Sequence, residues 1–386
     1  VADQLTTTAL EVSDYLDFLH REYLTPYVAH GGAAVKLLVT EDEAAAEALI
    51  CGMNGPVGVN GPVGVNGPVG MNGPVGVNDP AGTDGPAGEN GPAGENGPVG
   101  VKEPVGTDGP VEAFGTGFLC VGVDSVTTRA HLIDQVFAEI ARQVDWLALA
   151  GSVVRRAYAE AGFPPPESGQ LTVSAVARHH EIDPAELYRS VRRVLEHLVL
   201  RDSGLGHEFR TAMFRLCQHP LGRGDVSRAE CETVIAWLRA ERVPAAELRA
   251  LCLTAKLARH NARSMLLSLT HWVRLAGHRG LVLRLDLTRL AVARRPPAGL
   301  RDGYYYSKAA ALDAFELVRQ LIDGTDEFDG VFVAVVLPRD LVNDETRGLP
   351  AYSALRLRVV DEVRDRFRTN PYAALVRISA TPEEIV

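Results

Sequence analysis

The sequence predicts an α/β fold: a parallel five-stranded sheet carrying a large helical insertion and a low-complexity Gly-Pro hexapeptide repeat. Three observations lead there. Five short runs of branched apolar residues, at 35–39, 118–123, 281–286, 331–336 and 374–378, are separated mostly by stretches of helical periodicity, the alternation that builds a parallel sheet covered on both faces. Between the second and third runs, residues 146–275 contain no strand-like run and read as helical. Between the first and second, proline recurs every six residues from Pro56 to Pro110.

In chain order, Leu10, Tyr15, Leu16, Phe18, Leu19, Tyr23 and Leu24 have the spacing of an amphipathic helix over 10–28. His30-Gly31-Gly32 is a turn, and Val35–Val39 (VKLLV) the first strand. Thr40 then caps a helix with Glu43 in the capping-box position. From Gly52 the unit NGPVGV repeats about ten times, to Ala113. Glycine falls at every third residue from Gly52 to Gly100 apart from Asp79, so the segment also reads as Gly-X-Y. A collagen triple helix needs three chains and strict glycine, and Asp79, Glu103 and Glu112 break the register. The expectation is a disordered or collagen-like insert in a surface loop, where added length is tolerated best.

FLCVGV (118–123) is the second strand, ending at Asp124, and 130–144 a helix with Ile133, Val136, Phe137, Ile140 and Val144 on one face. Pro164-Pro165-Pro166 breaks the chain before the helical stretch 171–275. LVLRLD (281–286) is the third strand and ends on an acid. Arg294-Arg295-Pro296-Pro297 and Tyr304-Tyr305-Tyr306 form a loop; a basic, aromatic-rich loop can stack on and neutralise nucleic acid, but the favoured reading is that the tyrosines lead into a helix over 308–322 with one or two rings packed. VFVAVV (331–336), a helix around 352–367 and ALVRI (374–378) complete the pattern. The domain bounds that follow are 1–51, 52–113 (repeat), 114–145, 146–275 (helical insertion) and 276–386.

The net charge of -10 argues against a protein that coats nucleic acid or a membrane surface, while leaving room for a local basic patch. The five cysteines are scattered with no CxxC pair, the usage of thiols in a reducing compartment. His179-His180, His207 and His219 lack the spacing of a metal site. With no basic-then-apolar start and no run of about 18 apolar residues, the expected location is the cytoplasm.

Two functional readings come from the residues. Five strands are the count of a compact P-loop NTPase core, and an acid ending the third, Asp286, is how such cores deliver a carboxylate to the Mg²⁺ of a bound triphosphate. Asp124, ending the second strand, is a second candidate. Against this, the first strand is followed by Thr40-Glu41-Asp42-Glu43, with no glycine loop and no lysine to hold phosphates. A dinucleotide-binding fold lacks its GxGxxG. The alternative is a DNA-associated regulator. TVSAVARHHEIDPAELYRSVRRVLEHL resembles a helix-turn-helix within 171–200, and Arg178, Arg189, Arg192 and Arg193 are its DNA-binding candidates. Glu181, Asp183, Glu186 and Glu196 offset them, as on an ordinary solvated helical hairpin.

The chain resembles the ATP-binding proteins of bacterial BREX and phage-growth-limitation defence systems, P-loop ATPases related to the AAA+ class. The resemblance rests on GGAAVKLLV (31–39), GFLCVGVD (117–124) and NARSML followed by AGHRGLVLRLD (261–286). It is densest in YYYSKAAALDAFELVRQLIDGTDEFDGVFVAVVLPRDL, GLPAYSALRLRVVDEVRDR and NPYAALVRI within 304–378. It implies ATP and Mg²⁺ as cofactors, Asp286 as the Mg²⁺-side acid, Arg358 as a nucleotide-sensing or finger arginine, and other defence-system proteins as partners, with assembly into an oligomer as a further expectation. Two departures bear on hydrolysis. The Gly-Lys-Thr loop is absent, and the glutamate that usually follows the strand acid is Leu287. The resemblance therefore implies ATP binding with weak or no turnover. An active ATPase would have to draw its phosphate loop from elsewhere, such as Gly115-Thr116-Gly117, which has no lysine.

Overall fold

The computed structural model describes residues 9–40, 117–167, 169–300, 302–360 and 370–379. All of them belong to one compact unit. Its centre is a parallel sheet of β1 (Leu10–Glu11), β2 (Ala33–Thr40), β3 (Leu119–Asp124), β4 (Leu281–Asp286), β5 (Val331–Pro338) and β6 (Leu375–Ser379), in the spatial order β1-β6-β2-β5-β4-β3. All pairs are parallel, with Val35 opposite Val333, Leu283 opposite Val333 and Val121 opposite Leu283. The central strand β5 is buried along seven of its eight residues, the continuous apolar run expected of a strand covered on both faces.

Five strands were expected and a sixth is present. Leu10–Glu11 pairs with Ile378 and Ser379 instead of opening a helix, which covers the outer edge of β6 and leaves fewer unpaired backbone groups there. The expected helix over 10–28 is accordingly broken. It becomes α1 (Val12–Leu19), a π-helical turn at His20–Leu24 and a 3-10 turn at Val28–His30. The helix expected from Thr40 and the end of the helix around 352–367 lie outside the described residues.

The two-residue side-chain period of a strand splits the core. Leu38, Val282, Phe332 and Val376 face Val12, Tyr15, Phe18 and Leu19 of α1. Leu37, Val39, Leu283, Val333 and Val335 face the other way, into a larger core. That face is covered by α2 (Ile133–Gln143) and by helices that follow. The helical stretch comprises α3 (Trp146–Glu160), α4 (Val173–His179), α5 (Pro184–Leu195), α6 (His207–Gln218), α7 (Arg228–Leu238), α8 (Ala245–Ala250) and α9 (Arg259–Leu275). Local chemistry starts several of them. Asp145 and Asp183 accept from Ala148 N and Glu186 N, and Ser227 with Glu230 forms a full capping box. Trp146, Phe209 and Trp272 meet edge to face at 6.1 and 6.5 Å, joining α3, α6 and α9 into one apolar body. The same sheet face also carries α10 (Lys308–Asp323), α11 (Arg339–Asn343) and α12 (Ser353–Val359).

The strand order locates the ligand end of the sheet. The chain steps one way along the sheet from β1 to β2 and from β2 to β3, and the opposite way from β3 through β4 and β5 to β6. With right-handed crossovers, opposite steps lie on opposite faces. The helices obey this, since α1 belongs to the core on one face and α2 to α12 to the core on the other. The directions diverge at β2 and β5, so the topological switch point, where open α/β sheets form their crevice, is at the carboxyl ends of those two strands.

Candidate nucleotide site

Asp286 is the last residue of β4 and pairs in register with Asp124, the last residue of β3. Both acids therefore project from the same face at the carboxyl edge of the sheet, with β4 one strand from the switch point. Each closes a tight turn through one oxygen. Asp286 Oδ1 accepts from Thr288 N at 2.9 Å and Thr288 Oγ1 at 2.7 Å, and Asp124 Oδ1 accepts from Val126 N at 2.6 Å. These turns suit Asp because its short carboxylate reaches the backbone two residues on. They are joined to each other: Ser125 N donates to Asp286 O at 3.1 Å, and Arg289 N to Ser125 Oγ at 3.2 Å. Arg284, two residues back on the same face, brings Nη1 to 3.9 Å from Asp286 Oδ2, and its buried Nε has no partner among the described residues.

Behind the acids the loops are braced by a tyrosine and an arginine. The buried hydroxyl of Tyr306 lies 2.6 Å from Thr128 O and 2.9 Å from Ser125 O, donates to one of them, and accepts from Ala130 N at 3.1 Å. Burial pushes this phenol up to about 12, so it stays a neutral donor. Arg347, 6% exposed, donates to Tyr306 O at 2.8 Å and Val292 O at 3.1 Å. One connected set of bonds thus joins the loops after β3 and β4 to the segment that follows α11. The triple tyrosine was a visible signal for part of this; nothing in the sequence pointed to Arg347.

The remaining candidates lie elsewhere. Arg358, near the end of α12, grips Asp323 through Nε and Nη2 and donates to Ala354 O. Asp323 ends α10, which starts past the carboxyl edge of β4 and precedes the amino edge of β5. Sixteen residues of helix, about 24 Å at 1.5 Å per residue, therefore carry the Arg358–Asp323 pair toward the end of the sheet opposite Asp286. Lys36 of β2 is buried, donates to Tyr372 O and Ala373 O, and lies 4.5 Å over the Tyr23 ring. Arg178, Arg189, Arg192 and Arg193 are exposed on the α4–α5 hairpin, where Arg192 pairs with Glu196 at 2.9 Å.

A hard cation takes carboxylate oxygens, and the second oxygens of Asp286 and Asp124 fit that need. Triphosphate is less well served, since three acids follow Thr40 in the sequence where phosphate-binding amides and a lysine would be required. Among the described residues, no group of three or more His, Cys, Asp or Glu is placed to hold a metal by itself.

Residues 170–385, more than half of the chain, match the family described as BREX system ATP-binding protein BrxC/D. The chain belongs to that family. In this BrxC/D chain the matched span contains β4, β5 and β6 with Asp286, while β2, β3 and Asp124 precede it. Residues 52–111 match the collagen triple helix repeat. No curated protein and no solved structure matches the chain. Among the described residues no helix is long and apolar enough to cross a membrane.

Proposed function

We propose that this BrxC/D chain is an ATP-binding subunit of a BREX-type defence assembly, built on an AAA+-like P-loop core that binds nucleotide with little or no hydrolysis. Other proteins of the system are its partners. The observation that carries the reading is the in-register pair Asp124 and Asp286 at the carboxyl edge of a parallel sheet, beside the switch point of β2 and β5. Asp286 would hold Mg²⁺, with Asp124 beside it. When bound, Mg²⁺ supplies charge neutralisation for the phosphates.

Two features support weak turnover. Leu287 stands where the family glutamate would polarise water, and its side chain is fully buried in the core. Residues 41–43 supply charge of the wrong sign for a phosphate cradle. Arg358 enters this reading only as a pair with Asp323, a link between α10 and α12. The DNA-reading alternative is less well supported, because the residues that would enter the groove first, at the start of α5, are Asp183 and Glu186.

The test is thermal unfolding of the full chain with ATP, with and without Mg²⁺, beside phosphate release. Ligand at about a hundred times its Kd stabilises the folded state by about 2.7 kcal/mol. The expected result is a Mg²⁺-dependent rise in Tm that Asp286→Ala removes, without measurable phosphate release. No rise at all overturns nucleotide binding. Turnover that Asp286→Ala abolishes overturns the non-hydrolysing assignment.

A further inference from the structure

The loop between β4 and α10 gathers cations that the proposed nucleotide site does not use. Arg294 and Arg295 are exposed, as are Lys308 at the first position of α10 and Arg129 in the turn after β3. None of the four pairs with an acid among the described residues. Arg289, by contrast, is taken up by Asp302. In a chain of net charge -10 such a gathering stands out, because the one acid among residues 287–307, Asp302, is itself taken by Arg289.

Two tyrosines lie within it. The Arg129 guanidinium is 5.2 Å from the centre of the Tyr304 ring, which is 39% exposed. Tyr305 donates its hydroxyl to Ala293 O at 3.4 Å, which ties the segment that carries Arg294 and Arg295 to the tyrosine loop. The platform is held firmly from beneath. Tyr304 N donates to Val126 O at 2.9 Å, Arg289 Nε to Tyr304 O at 3.0 Å, and the next residue is the buried Tyr306. The amino end of α10, with no acid in its first turn, adds partial positive charge to the same surface.

We infer that this surface, Arg129, Arg294, Arg295, Lys308 and the ring of Tyr304, binds single-stranded nucleic acid. Unpaired guanidinium and ammonium groups neutralise successive phosphates. A supported, exposed ring gives an unpaired base a face to stack on, with the adjacent arginine completing a cation–π sandwich. The surface presents no recognition helix to a groove, so a duplex would gain the phosphate contacts and forfeit the stacking. Nucleotide binding at Asp286 is not required for any of this.

Fluorescence anisotropy of the full chain with a labelled strand of about 20 nucleotides, as DNA, as RNA and as the matching DNA duplex, tests the assignment. Binding to either single strand, weakening steeply from about 50 to about 200 mM salt and tighter than to duplex, is the expected result. Arg294→Glu with Arg295→Glu should lower affinity at least about tenfold. Tyr304→Ala should weaken single-strand binding by roughly five- to a hundred-fold, while Tyr304→Phe retains it. Arg189→Glu with Arg193→Glu, on the helical hairpin, should leave it unchanged. Absence of binding at low salt overturns the inference. So does wild-type binding by the Arg294/Arg295 double variant with an unchanged circular dichroism spectrum, or equal affinity for duplex with Tyr304→Ala neutral. Should the charge reversal perturb folding, Arg294→Gln with Arg295→Gln reads the same loss.

Discussion

At the scale of single residues, one histidine joins the helical insertion to the sheet. His271 of α9 places Nδ1 2.8 Å from Asp329 Oδ2 and Nε2 2.8 Å from Asp202 Oδ2, and Asp329 also takes Arg274 Nε at 2.9 Å. A ring between two carboxylates must donate from both nitrogens, which is the imidazolium. The hydrogen bond to Asp329, more than any other influence, pushes His271 up to about 9, against the loss of solvation. Because the folded value lies above the unfolded one, the stabilisation is complete below about 6.5 and is lost as pH rises through about 9. A shift of that size would correspond to about 3.4 kcal/mol, which screening by solvent at this part-exposed ring reduces to on the order of 2 kcal/mol. Urea midpoints measured from pH about 6 to about 9.5 should fall for the wild type and run flat across this window for His271→Gln. A backbone position is as exacting. Gly280 has φ +156°, and a Cβ there would stand 2.4 Å from Gly330 O, at the point where β4 enters beside β5. Gly280→Ala should destabilise by about 1–3 kcal/mol, read from the same denaturation curves.

At the scale of elements, the strands were legible and their neighbours less so. The five apolar runs stand where β2 to β6 form, within two residues at every boundary, because a run buried on both faces leaves an unbroken apolar stretch. β1 was not legible. Two residues carry no period, and Leu10 fits the helical spacing of 10–28 equally well until the edge of β6 claims it. The acid pair shows the same division. Both aspartates were readable as strand endings, but their adjacency is a matter of strand order, and the 156 residues between β3 and β4 gave no hint of it in the sequence. Arg358 illustrates the reverse. The resemblance implied a nucleotide-sensing or finger arginine, and the structure adds a pairing with Asp323 that the sequence did not announce. Tyr306 makes the bracing of these elements testable. Tyr306→Phe takes the hydroxyl from the buried Ser125 carbonyl, whereas Ala130 N and Thr128 O keep their own bond at 2.9 Å. The expected loss is about 1–3 kcal/mol in chemical denaturation, the penalty of an unsatisfied buried polar group.

At the scale of the whole molecule, the sheet order sets what the chain between β2 and β3 must do. β3 lies three strands from β2, past β5 and β4, which is about 14 Å at the usual strand spacing. A parallel crossover needs a dozen or so residues. Removing the repeat at 52–111 leaves 41–51 and 112–118 to make that connection, enough to span it. Loop-closure scaling makes the shorter connection more favourable, by about 1 kcal/mol for this change of length. The deletion variant should therefore unfold at an equal or slightly higher urea midpoint, with the steep transition of the parent. A lower midpoint would mean that the repeat supports the fold. Light scattering on the same two proteins separates a further case: three chains joined through Gly-X-Y would give a trimer mass in the parent and a monomer mass after deletion. The breaks at Asp79, Glu103 and Glu112 argue that the ratio of mass to chain length stays the same.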